Sequence, residues 1–159
     1  MPAPLAALEA RLAGLARPLL ASGAVRVLGL AALCAAYLQG GLNKLVDLPG
    51  AMAEMAHFGL APAAPFAAAV IVLELGASAL ILSGVLRWLG ALALCGFTLL
   101  ATLLALRFWE MPDGPARVMA ANAFFEHLGL AGGFLLVACW DLRERAPGEP
   151  RLIAHRTAR

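Results

Sequence analysis

The stretch "AAAVIVLELGASALIL", residues 67–82, decides the fold. Thirteen of its sixteen residues are plainly apolar, yet Glu74 sits near its centre. An apolar run of this length belongs in hydrocarbon, where a carboxylate is costly, so solvent and site are raised together. Composition answers for the solvent. The 159-residue chain is 62% hydrophobic and 14% charged, with a mean hydropathy of +0.85. Soluble domains hold roughly 45–50% apolar and about 25% charged residues, so this chain has too little polar surface to face water alone. A net charge of +2, with no basic stripe interleaved with aromatics, argues against nucleic-acid binding.

Crossing about 30 Å of hydrocarbon takes roughly 20 apolar residues. Four windows qualify, at about 25–44, 64–86, 88–107 and 118–140. Within lipid each span must satisfy its own backbone hydrogen bonds, which selects the α-helix, and no alternating ten-residue pattern suggests a barrel. The expected fold class is therefore all-α: an integral membrane four-helix bundle occupying residues 23–142. The tight "SGVLRWLG" connection makes spans two and three antiparallel neighbours.

Basic residues set the orientation. Arg11, Arg17 and Arg26 precede the first span, Arg87 lies in the turn, and Arg143, Arg145, Arg151, Arg156 and Arg159 follow the last. The opposite side has only Lys44, Arg107 and Arg117. Nine against three places both termini in the cytoplasm. Residues 1–22 do not form a signal peptide, because Glu9, Arg11 and Arg17 interrupt any apolar core. Leu5, Leu8, Leu12, Leu15 and Leu19 instead give an amphipathic helix for the membrane surface. Residues 143–159 form a polar cytoplasmic tail. Between the first two spans, residues 45–65 have room for a short interfacial helix presenting Met52, Met55 and Phe58.

Counting from Ala64 puts Glu74 roughly 15 Å deep, near the midplane. A charge there costs roughly 2.5–3.5 kcal/mol on insertion scales, so the acid stays protonated, pairs with a cation or borders a wet cavity. Ser78 shares its face at i+4, and Ala69, Gly76, Ala79 and Ser83 offer small surfaces for close helix approach. On the first span Cys34, Tyr37, Gly41 and Lys44 form one line, and Gln39 and Asn43 another. Cys95, Thr98, Thr102 and Trp109 align on the third, while the fourth brings Asn122, Glu126 and the adjacent His127. Lys44 reaches inward on its four-carbon stem. The expectation is a cluster of Lys44, Glu74, Glu126 and His127, with Lys44–Glu126 matched in depth. Thr98 and Thr102, which commonly bond back to their own helix, receive no catalytic role. Cys34, Cys95 and Cys139 are far apart with no CxxC and are read as packing, and the scattered histidines His57, His127 and His155 give no metal motif.

At these residues the chain resembles the DoxX family of four-helix bacterial membrane proteins. The likeness rests on "QGGLNKLVD", the Glu of "VLELGASALILSGV", "RFW", and "FFEHLGLAGGFLLVA", in that order over about residues 24–140. It implies a four-helix bundle with Lys44 and Glu74 at the family's glycine-preceded lysine and mid-helix glutamate. Relatives often carry a Lys-Asn pair where this chain has Glu126-His127. The resemblance also implies a setting among subunits of a thiosulfate:quinone oxidoreductase, or membrane partners of redox and sulfur-handling enzymes.

A quinone head group needs a slot between helices with proton donors or acceptors at its oxygens. Glu74, Glu126 and His127 suit proton transfer, Lys44 suits a reduced oxygen anion, and Tyr37, Asn43, Ser78 and Trp109 could line the slot. The leading expectation is an accessory or quinone-interacting subunit of a redox complex, an enzyme only together with partner subunits. Quinone is the cofactor class expected. No haem is, because only His127 lies within a span. The alternatives are a non-catalytic scaffold that stabilises a partner, and a small-solute or proton carrier that a homo-oligomer could complete.

Overall fold

The computed structural model describes residues 3–145. The expected polar tail therefore lies almost wholly outside the described residues. Six α-helices follow one another: α1 (Ala3–Leu20), α2 (Gly23–Val46), α3 (Leu48–His57), α4 (Ala63–Ser83), α5 (Arg87–Ala105) and α6 (Pro115–Arg145). A 3-10 turn, Phe108–Glu110, precedes α6, and there is no strand among the described residues. Helices α2, α4, α5 and α6 are long and apolar enough to cross a membrane, making this an all-α, four-span bundle.

Local chemistry sets the joints. Ser22 starts α2 by accepting a hydrogen bond from the Val25 N–H at 3.3 Å. Asp47 ends α2 and caps α3, its Oδ1 accepting from the Gly50 N–H at 3.0 Å, with Pro49 in the first turn. No loop separates the two helices, so α3 folds back over the bundle end. There Ala51 and Met55 are buried against Ala67 of α4. At the opposite end Gly84 takes the left-handed conformation (φ 82°) that closes α4, and Leu86 follows at φ 49°.

Around the bundle α2 lies against α4, α4 against α5, and α5 against α6, while α2 and α6 meet only sparingly. The packed core fills the half nearest the α4–α5 turn, where Cys34, Ile81, Ala91, Leu94 and Phe134 are fully buried. Helix α4 buries Ala67, Ile71, Ala77, Ser78 and Ile81 along with Glu74. Gly76, Ala79 and Ser83 face outward and Ala69 lines a hollow between helices, so none forms the close helix approach expected of it. The near contacts lie elsewhere. A Cβ on Gly90 would stand 2.7 Å from the Ala77 carbonyl oxygen, and one on Gly41 would stand 2.8 Å from the Leu75 side chain. Gly90 thus lets α5 approach α4, and Gly41 lets α2 approach α4 beside Glu74.

A buried charge locks the turn end. Asp141 is 2% exposed. Its carboxylate accepts from Arg87 Nη1 at 3.3 Å, from Arg145 Nε at 2.7 Å and from the Trp88 backbone N–H at 3.3 Å. The last bond caps α5 from another helix, since Leu86 has no capping side chain. Arg145 also donates to the Gly84 carbonyl at 2.7 Å, and Arg87 to that of Ile81 at 2.9 Å. Asp141 and Arg87 are therefore a structural tie, beyond marking the end of a span.

Candidate functional site

The half of the bundle nearest α3 is hollow. A cavity of about 670 Å³ lies among α2, α3, α4, α5 and α6. Its walls are mostly apolar, with Met55, Phe66, Val70, Leu73, Phe97 and Leu104 among them. Its polar groups are few: Tyr37, Lys44, Glu54, Glu74, Thr98 and His127. A second hollow of about 480 Å³ shares Phe58, Leu104 and Ala105 with it and adds His57, Arg107, Glu110 and Met111. The two hollows adjoin at the α3 end, the smaller with charged walls and the larger mostly apolar.

Glu74 stands at mid-helix in α4 and is 5% exposed. Lys44, near the end of α2, places Nζ 3.4 Å from Oε1 and 3.5 Å from Oε2 of that carboxylate. The same ammonium lies 3.8 Å from Oε2 of Glu54 on α3. Two carboxylates therefore share one cation across three helices, at distances long enough for a ligand oxygen to compete for the ammonium. Ser78 donates to the Glu74 carbonyl at 2.7 Å, holding the helix below the acid without entering the cavity wall.

Across the cavity runs a chain of hydroxyls. Tyr37 and Thr98 oxygens are 2.5 Å apart, Thr98 Oγ1 donates to the Leu94 carbonyl at 2.5 Å, and Thr102 Oγ1 donates to the Thr98 carbonyl at 2.6 Å. Thr102 Oγ1 also lies 3.2 Å from His127 Nδ1. Edge-on contact with Phe134, centroids 5.3 Å apart, fixes the Tyr37 ring.

Of the residues singled out from sequence, Lys44, Glu74, His127 and Tyr37 meet on this cavity. Glu126 does not: its side chain is exposed on α6, and Lys44 pairs with Glu74 and Glu54 rather than with it. Successive helical residues diverge by about 100°, so His127 facing inward turns Glu126 outward. The same reason leaves Asn43 exposed beside the inward Lys44. Trp109 leaves the expected stripe because α5 stops at Ala105; it sits on the 3-10 turn, half exposed, packed on Phe108 and Phe124. Sequence reasoning missed Glu54 altogether. It saw the back-bonding of Thr98 and Thr102 but not that each also holds a polar cavity residue. For Glu54 a signal existed, since Ala51, Glu54 and Met55 fall on one face of a short helix.

No curated protein and no solved structure matches the chain. The family model for DoxX matches residues 27–107, just over half of the chain, and covers α2 through the end of α5 with both Lys44 and Glu74. This multi-pass membrane protein belongs to the DoxX family.

Proposed function

We propose that the chain is a membrane subunit of a redox complex, and that its cavity takes the head group of a lipid-soluble quinone. The observation carrying this reading is a chamber of about 670 Å³, apolar over most of its wall, with the Lys44–Glu74 pair on one side and His127 on another. Ligand sites typically measure about 300–1,000 Å³ and combine an apolar lining with a few convergent polar groups. Interconversion of quinone and quinol moves two electrons and two protons. In this reading the electrons pass to or from a partner redox protein. The protons move at the ring oxygens, with Glu74 and His127 as carriers and Lys44 steadying oxygen anion character. Glu126, Asn43 and Trp109 take no part, because their side chains lie off the chamber.

The reading extends to placement. The arginine bias puts the α4–α5 turn and both termini in the cytoplasm of a bacterial cell, with the chamber in the outer half of the inner membrane. Helix α1, whose five stripe leucines are 52–79% exposed, lies on the inner surface.

The test is binding of a short-chain benzoquinone, in both redox forms, to the purified protein in lipid nanodiscs. Glu74→Gln and the double variant Lys44→Met/Glu74→Gln, each checked for folding by size-exclusion profile, should weaken binding at least about tenfold. Undiminished binding in both variants would remove the quinone role.

A further inference from the structure

The direction of the hydrogen bonds around His127 fixes what the chamber can accept. A threonine hydroxyl has one proton. Thr98 gives its proton to the Leu94 carbonyl and Thr102 to the Thr98 carbonyl. Contacts reaching these oxygens from the chamber side must therefore be donations toward them. With the threonine protons so placed, the Tyr37 phenol is the donor across its 2.5 Å contact with Thr98 Oγ1, and His127 Nδ1–H the donor across its 3.2 Å contact with Thr102 Oγ1. A neutral imidazole has one N–H. With that proton on Nδ1, Nε2 carries a lone pair, and it has no hydrogen-bond partner among the described residues. The Tyr37 oxygen, its proton engaged, likewise offers only lone pairs.

Of the polar residues lining the chamber, His127, Tyr37, Glu74 and Glu54 are then left with mostly acceptor capacity. Lys44 is the strong donor among them. A ring with two carbonyls satisfies Lys44 but sets an oxygen lone pair against Nε2. A ring that bears a hydroxyl donates to Nε2 and keeps an oxygen for Lys44.

We infer that the chamber selects a hydroxyl-bearing ring, with His127 Nε2 accepting the ligand's O–H and Thr102 as the positioning residue that sets the imidazole tautomer. For a quinone couple this means the reduced form, and only that naming rests on the function proposed above. A buried polar group left unpaired costs about 1–3 kcal/mol, so the expected preference for quinol over quinone is about 5- to 150-fold.

Two measurements test it. The first is the 15N spectrum of histidine-labelled protein in nanodiscs, with His127 assigned by His127→Gln. The expected spectrum shows an unprotonated Nε2, retained in Thr102→Ser and replaced by the Nε2–H tautomer in Thr102→Val. An Nε2–H tautomer or an imidazolium in the unaltered protein at neutral pH overturns the inference. The second is binding of four probes: a short-chain benzoquinol, its quinone, a 4-alkylphenol and that phenol's methyl ether. Tighter binding of quinol over quinone and of phenol over ether supports the inference, and Thr102→Val should bring each pair near parity while Thr102→Ser keeps the preference. Selective binding of the phenol with neither quinone form bound keeps the donor-selective site and removes the quinone reading. Equal binding of quinol and quinone overturns the selectivity and leaves the quinone reading standing, and equal binding of phenol and ether overturns the selectivity. No binding by any probe overturns both.

Discussion

At the scale of single residues, the buried acid on α4 is matched by one cation, Lys44, delivered by α2. Glu74 is 5% exposed, and the ammonium beside it sits on a side chain only 16% exposed. Removing one member of such a pair leaves an uncompensated group, whereas removing both leaves an apolar and an amide side chain that lipid and protein tolerate. Lys44→Met alone should therefore destabilise the fold by up to about 3 kcal/mol, and Glu74→Gln added to it should restore most of that loss. Thermal unfolding in nanodiscs measures the cycle; strictly additive effects would show that the pair carries no coupling. The expense of Glu74 was legible in sequence, since no other acidic residue interrupts so apolar a run. Its partner was legible only as a candidate. Lys44 could reach either Glu74 or Glu126, and the choice depends on which face of α6 turns inward. Two adjacent polar residues on α6, Glu126 and His127, cannot both face one cavity, and sequence alone gives no reason to prefer the histidine.

At the scale of helices, small residues show how little of a packing face can be read from one strand of letters. Gly76 lies two residues from Glu74 and looked like a contact point, yet a Cβ there meets nothing within 4 Å. Helix α4 is apolar nearly all round, so periodicity does not say which side is buried. Gly90 is the contact instead, because the short turn after Gly84 forces α5 back along α4 within one helical turn of their junction. The atom that blocks a Cβ at Gly90 is the backbone oxygen of Ala77, which cannot rotate away as a side chain can. Gly90→Ala should therefore cost about 1–3 kcal/mol, while Gly76→Ala should stay within about 0.5 kcal/mol of the unaltered protein. Equal unfolding midpoints for the two variants would show that α4 and α5 are not in close backbone contact there. Thr102 gives the opposite lesson. The sequence correctly suggested that its hydroxyl bonds back to the helix, and the same hydroxyl lies 3.2 Å from His127 Nδ1, a contact the sequence did not show.

At the scale of the whole molecule, the four spans were legible because hydrocarbon permits so few backbone solutions, whereas the hollow half of the bundle was not. A cavity arises where helices fail to meet, and that depends on α3 closing one end and on α2 and α6 scarcely touching. Sequence shows apolar length but not such gaps. The same asymmetry makes orientation matter for function. The packed half and the Asp141 tie lie toward the α4–α5 turn, and the chamber with the charged hollow beside it lies toward α3. If basic residues keep the turn in the cytoplasm, the chamber draws its ligand and any water from the opposite side. The decisive positions are Val85, exposed in the turn, and Asp113, exposed in the loop before α6. With Cys34, Cys95 and Cys139 replaced by Ala, a membrane-impermeant maleimide applied to intact cells should label Asp113→Cys. Val85→Cys should react only after the membrane is opened. The reverse pattern would turn the molecule over, moving the hollow of Arg107 and Glu110 to the cytoplasm and making a cytoplasmic partner the natural neighbour of the chamber.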